Sequence, residues 1–95
     1  SGETYILETN FDKINGVNES AVVGLKDDDF GERVVAIVVL EEKTKLTEKQ
    51  VINLIKQSIS GFKVPKEVIF VDKLPRNSMG KVQKNILRGS YDKKR

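Results

Sequence analysis

A chain of 95 residues, 38% hydrophobic and 33% charged, has room for one small core and lies outside the composition range of disordered chains. It contains no cysteine and no histidine, which excludes disulfides, thiolate metal sites, Ser-His and Cys-His catalysis and the usual neutral-pH base. Its net charge of +3 is uneven: residues 81–95 carry +5 and residues 1–80 carry −2, so the C-terminal end is the electropositive one.

No apolar run approaches the roughly 20 residues of a membrane span. The opening SGETYILETN has neither the basic start nor the apolar stretch of a signal peptide. A cytoplasmic protein with no membrane partner is therefore expected. The chain starts without Met, which suggests a processed or cut product.

In chain order, ETNFDKING (Glu8–Gly16) reads as a short helix. Leu7, Phe11 and Ile14 fall at helical spacing, and Gly16 can end the element. SAVVGL (Ser20–Leu25) is β-branched and reads as a strand, followed by a polar turn at KDDDFGE. RVVAIVVLE (Arg33–Glu41) is the strongest strand. Its apolar run does not alternate, so both of its faces should be covered. TEKQVINLIKQSISG is the clearest helix. Thr47 and Gln50 make a capping box, Val51, Leu54, Ile55 and Ile59 make an apolar stripe, and Gly61 stands at the expected C-terminal cap. Pro65 excludes a continuing helix. EVIFVD (Glu67–Asp72) reads as a third strand. KNILRGSY reads as a last helix, with Ile86 and Leu87 toward the core and Gly89 at its end. This order implies an α+β fold: a small two-layer domain with a central three-stranded sheet, flanking helices and an exposed C-terminal lysine loop.

Two motifs fail on spacing. DDDFGE, counted as a calcium loop from Asp27, puts Gly31 at position 5 and Glu32 at position 6, where an acidic or amide ligand and a glycine are needed. MGKV, counted as a phosphate loop, puts Pro75 where the first glycine belongs and Val82 where Ser or Thr belongs. Glu41 and Glu42 read as exposed strand-end residues rather than a catalytic pair, and no metal ligands are assigned. Nucleic-acid binding would call for aromatics among the cations. Phe62 near Lys63 and Phe70 near Lys73 are the hints of it, and Phe70 reads as core.

The remaining feature is LPRNSMGKVQKN (Leu74–Asn85), which gathers Arg76, Lys81 and Lys84 around Gly80, with few apolar anchors. Pro75 fixes one end of the loop, Gly80 permits a bend and close approach, and Val82 can hold the far side in the sheet. A lysine there is a point charge with three donors, suited to a carboxylate or phosphate. One lysine does not make a site, so its partner groups are expected on another body. The loop is expected to be mobile in the isolated chain, because nothing legible in the sequence holds it.

From FKVPKEVIFVDKLPRNSMGKVQKN outward, the chain resembles the C-terminal domain of the adenylate-forming superfamily of acyl-CoA synthetases, luciferases and peptide adenylation domains. GVNESAVVGLKDDDFGERVVAIVVL is similar to the family's strand–turn–strand segment, and residues 14 to 88 carry the likeness. The run LPRNSMGKVQKNILR is most like malonyl-CoA synthetases.

The resemblance implies that residues 1–95 form a mobile lid on a large N-terminal domain. It implies a ligase using ATP, Mg2+ and coenzyme A on a small carboxylic acid, through an acyl-adenylate and then a thioester. It assigns the adenylation lysine to Lys81, with Pro75, Arg76 and Gly80 supporting the loop. Gly2 falls in the family's coenzyme A tunnel turn, though Glu3 takes the place of the second glycine. The isolated chain is expected to be inactive. The alternative is a free-standing basic module for nucleic acid or another anionic partner.

Overall fold

The computed structural model describes residues 2–29, 31–60 and 64–92. Among these, six elements follow in order: helix α1 (Gly2–Asp12), strands β1 (Val17–Asp27) and β2 (Gly31–Leu40), helix α2 (Glu48–Ser58), strand β3 (Glu67–Phe70) and helix α3 (Lys84–Tyr91). β1 and β2 pair antiparallel, and β3 joins β2 in parallel, giving the sheet order β1-β2-β3. The parallel pair needs a crossover, and α2 supplies it.

Residues Val35 to Val39 of β2 are buried without interruption. Successive side chains of a strand point to opposite faces, so this run requires two covers. Ala36 and Val38 join Val22 and Val68 beneath Leu7 and Phe11 of α1 and Val51 and Ile55 of α2. Val35, Ile37 and Val39 join Ala21, Val23 and Leu25 on the other face, against Leu74 and Leu87. The α+β class and the three-stranded sheet with flanking helices hold. The helices divide between the faces, so α3 and the 74–82 segment add a thinner cover opposite α1 and α2.

The outer strands leave backbone groups without strand partners, and carboxylates from the helical segments meet several of them. Glu8 Oε2 accepts the Val22 amide at 2.8 Å, and Asp92 Oδ1 accepts the Lys26 amide at 2.8 Å. On β3, Glu48 Oε2 accepts the Val68 amide at 2.8 Å. Edges covered in this way offer fewer free donors to another chain.

The element limits differ from expectation for identifiable reasons. α1 begins at Gly2 rather than Glu8. Its apolar side chains do not share one face, since Leu7 and Phe11 are buried while Tyr5 and Ile6 are exposed. Gly16 follows α1 at φ +102°, with its carbonyl accepting the Glu41 amide. β1 runs past Ser20–Leu25 at both ends because pairing with β2 carries its polar residues along. The capping box forms as expected: Gln50 N–H donates to Thr47 Oγ1 and Thr47 N–H to Gln50 Oε1. In α2, Leu54 is exposed and Ile52 packs on the core in its place.

β3 stops at Phe70, which is not core. It lies at the sheet end and lines an open groove with Leu40, Glu41 and Asp72. In α3, Leu87 is buried at 4% exposure and Ile86 is 51% exposed, because consecutive helix positions cannot share a face. The helix runs through Gly89 to Tyr91, which packs on the second core. The expectations for Gly61 and Phe62 lie outside the described residues.

Glu8→Leu should cost about 1–3 kcal/mol in urea unfolding, since it strands the Val22 amide. Glu8→Gln keeps a carbonyl acceptor and should cost under about 1 kcal/mol, the scale of its exposed ion pair. Equal losses for the two variants would contradict the edge-capping account.

Candidate active-site loop

The segment between β3 and α3 is a small folded turn. Leu74 is buried in the second core and Val82 packs against the same cluster. Arg76 and Val82 form an isolated antiparallel bridge, so these apolar ends hold the base of the loop. The Gln83 amide donates to the Pro75 carbonyl at 2.9 Å and closes the base.

The tip is built on Asn77. The Gly80 amide donates to the Asn77 carbonyl at 2.9 Å, which makes Asn77–Gly80 a β-turn. Gly80 has φ +83°, a conformation that favours glycine. Asn77 Oδ1 accepts two amides, from Met79 and from Lys81, each at 2.9 Å. The Asn77 amide in turn donates to the Lys81 carbonyl at 3.0 Å, and Gln83 Nε2 donates to that carbonyl at 3.0 Å. The backbone of Lys81 is therefore bonded on both sides. The expectation of a loop that nothing holds is corrected: side chain–backbone bonds secure it, and those are invisible to composition and periodicity.

The charges sort differently from their clustering in sequence. Arg76 Nη2 donates to Glu19 Oε1 at 2.6 Å, and Arg76 Nη1 donates to the Gly80 carbonyl at 2.5 Å. Lys84 Nζ pairs with Glu8 Oε2 at 2.8 Å. Among the described residues, the exposed Lys81 has no ion-pair partner. Pro75, Arg76 and Gly80 thus meet Lys81 in one turn, with Arg76 acting as a brace. Gly2 stands apart from it, exposed in the first turn of α1, so Gly2 and Glu3 are helical here rather than part of a glycine turn.

Sequence reasoning passed over Asn77. An Asn three residues before a Gly is the signature of this turn type and was the available signal. No group of three or more His, Cys, Asp or Glu that could hold a metal ion occurs among the described residues. No described helix is long and apolar enough to cross a membrane.

Residues 7–81 match the family model of the AMP-binding enzyme C-terminal domain, and Lys81 is the last residue matched. The chain belongs to this family. ATP-bound MatB from Rhodopseudomonas palustris superimposes with a TM-score of 0.86 at 48% identity, over 93% of this chain and 18% of that one. The oxalate–CoA ligase of Saccharomyces cerevisiae is 35% identical over 77 residues, 81% of this chain and 14% of the relative. The indoleacetate–CoA ligase of Aromatoleum aromaticum is 46% identical over 72 residues, 76% of this chain and 14% of the relative. The chain spans less than a fifth of the length of these proteins.

Near Glu8 and Glu19, the partners of Lys84 and Arg76, lies Asp12, whose carboxyl is held above its ordinary 3.8 chiefly by partial burial. The charges of Glu8 and Glu19 add to the rise, and the hydrogen bond from Ser20 Oγ at 2.8 Å opposes it. The folded AMP-binding C-terminal domain therefore binds this proton more tightly than the unfolded chain. Stability falls as pH rises from 3.8 through the folded value, and the ionised group is a net cost at neutral pH. Asp12→Asn keeps an acceptor for Ser20 and should raise the melting midpoint slightly at pH 7, with the gain vanishing below pH 3.8. A lower midpoint at pH 7 would contradict this. Asp12 is largely exposed, so solvent keeps the effect small.

Proposed function

We propose that this chain is the C-terminal lid of an AMP-forming acid–thiol ligase and that Lys81 is its adenylation lysine. The observation that carries the reading is the contrast around one turn: Arg76 and Lys84 are paired with Glu19 and Glu8, while Lys81 extends from a bonded backbone with no ion-pair partner among the described residues. A cation so presented suits a pair of anions on a facing body. The partner is the large N-terminal domain of the same enzyme, which supplies the remaining walls of the pocket.

The first step joins a carboxylate to the α-phosphate of ATP, giving acyl-AMP and pyrophosphate. Both reactants are anionic and repel. An ammonium between the carboxylate and the phosphate oxygens lowers that repulsion and fixes the approach, which is electrostatic stabilisation combined with positioning. Coenzyme A then attacks the acyl-adenylate, its sulfur displacing AMP to give the thioester. In that step the lid presents another face, with Gly2 the candidate for the coenzyme A tunnel. Mg2+ would offset phosphate charge, but the described residues do not form a cluster that fits it. No step here runs through the ion.

Malonate is the narrower reading for the acid, resting on the run LPRNSMGKVQKNILR. The cytoplasm is the compartment that ATP and coenzyme A chemistry favours. The reading as a basic nucleic-acid module is disfavoured, because two of the three loop cations are already neutralised within the domain.

Lys81→Ala in the full-length enzyme should slow adenylation, read by ATP–pyrophosphate exchange, by about 100- to 1,000-fold. Thioester formation from supplied acyl-adenylate should stay within about twofold. Equal loss of both steps, or of neither, would overturn the assignment.

A further inference from the structure

We infer that Asn77 is the positioning residue for Lys81 in adenylation. The inference rests on the assignment of Lys81 above and goes beyond it.

Asn77 contacts Lys81 from both sides of the turn. Its side-chain Oδ1 takes the Lys81 amide, and its own amide gives to the Lys81 carbonyl. The same Oδ1 takes the Met79 amide, and the Asn77 carbonyl takes the Gly80 amide. One residue thus satisfies the backbone on either side of the reactive lysine and closes the turn that carries it. The second hold is Arg76, which binds the Gly80 carbonyl and is itself tied to Glu19 of β1. Together they fix the Gly80–Lys81 peptide relative to the sheet.

The tip needs these holds. Ser78, Met79, Gly80 and Lys81 are all exposed, and Met79 is 88% exposed, so no apolar packing restrains it. A lysine side chain has four rotatable bonds, and its ammonium can reach a defined point only if the Cα is already placed. Rigid placement of the Cα lowers the ordering cost of the transition state, and a displacement of about 1 Å is enough to cost on the order of 100-fold in rate. Asn77 itself need not touch substrate for this effect.

The test uses the full-length enzyme. Asn77→Ala removes the Oδ1 acceptor and should lower kcat for adenylation by about 10- to 100-fold, with KM for ATP and acid changed less than kcat. Thioester formation from supplied acyl-adenylate should be unchanged. Asn77→Asp retains an acceptor oxygen at the same place and should recover most of the rate. In a Lys81→Ala background, Asn77→Ala should add nothing, because both changes remove one unit.

If Lys81→Ala cripples adenylation while Asn77→Ala leaves it intact, the positioning role is wrong and the lysine assignment stands. If Lys81→Ala itself is silent, the underlying assignment fails first. A further loss on top of Lys81→Ala, or an equal fall in both half-reactions, would show that Asn77 acts on folding or on another group and would overturn the inference.

Discussion

Burial of β2 on both faces is the constraint from which the rest of the domain follows. Val35 to Val39 have no solvent side. α1 and α2 cover one face, and the other must be closed by whatever follows β3. That duty falls to Leu74, Val82, Leu87 and Tyr91, which flank the lysine loop in sequence. The loop is therefore pinned at its base by the same packing that completes the second core. An exposed cationic tip and a buried structural base are two parts of one segment.

Charge follows the same geometry. Glu8 projects from α1 past the edge of β1, takes the Val22 amide there and meets Lys84 at the start of α3. It links helices from opposite faces around one strand edge. Glu19, on β1, anchors Arg76. Each exposed ion pair contributes little stability by itself. Their larger consequence is selective neutralisation: the loop's cations are reduced, locally, to the one that has no partner within the described residues. An exposed ammonium costs little to keep in water, so the domain can present it without weakening its own fold.

The sequence made the periodic features legible. The β-branched run gave β2 and its double burial, and Thr47 with Gln50 gave the start of α2 to the residue. The PRNSMGK segment was legible as a turn because proline and glycine each have a local conformational meaning. What stayed hidden was carried by bonds without a period. Glu8 reaches Val22, Glu48 reaches Val68 and Asp92 reaches Lys26 across separations that no sequence window spans. The roles of Asn77 and Arg76 were obscured differently. Asn77 was legible only through its spacing from Gly80, and Arg76 is an ordinary polar loop residue until the hairpin closes and its acceptors come into reach. Ile86 and Leu87 show the limit of periodicity itself, since an apolar pair at adjacent positions leaves the buried partner undecided.

The proposed role of the lysine is compatible with relatives named for dissimilar acids. Oxalate and indoleacetate, the acids in the names of two of them, share little beyond a carboxylate, yet both ligases carry a version of this domain. A lysine that recognises only the carboxylate and the phosphate is indifferent to what lies behind the carboxylate. The proposed task for Lys81 calls for a placed Cα, a long flexible arm and a free charge; the Asn77–Gly80 turn bonds the Lys81 backbone, and no ion pair to Lys81 occurs among the described residues. Discrimination among acids requires walls that touch the acyl group, and a turn with an exposed tip offers none. On the proposed role, the small domain can stay nearly constant in architecture while the acid changes, because the carboxylate and the phosphate are common to every substrate pair.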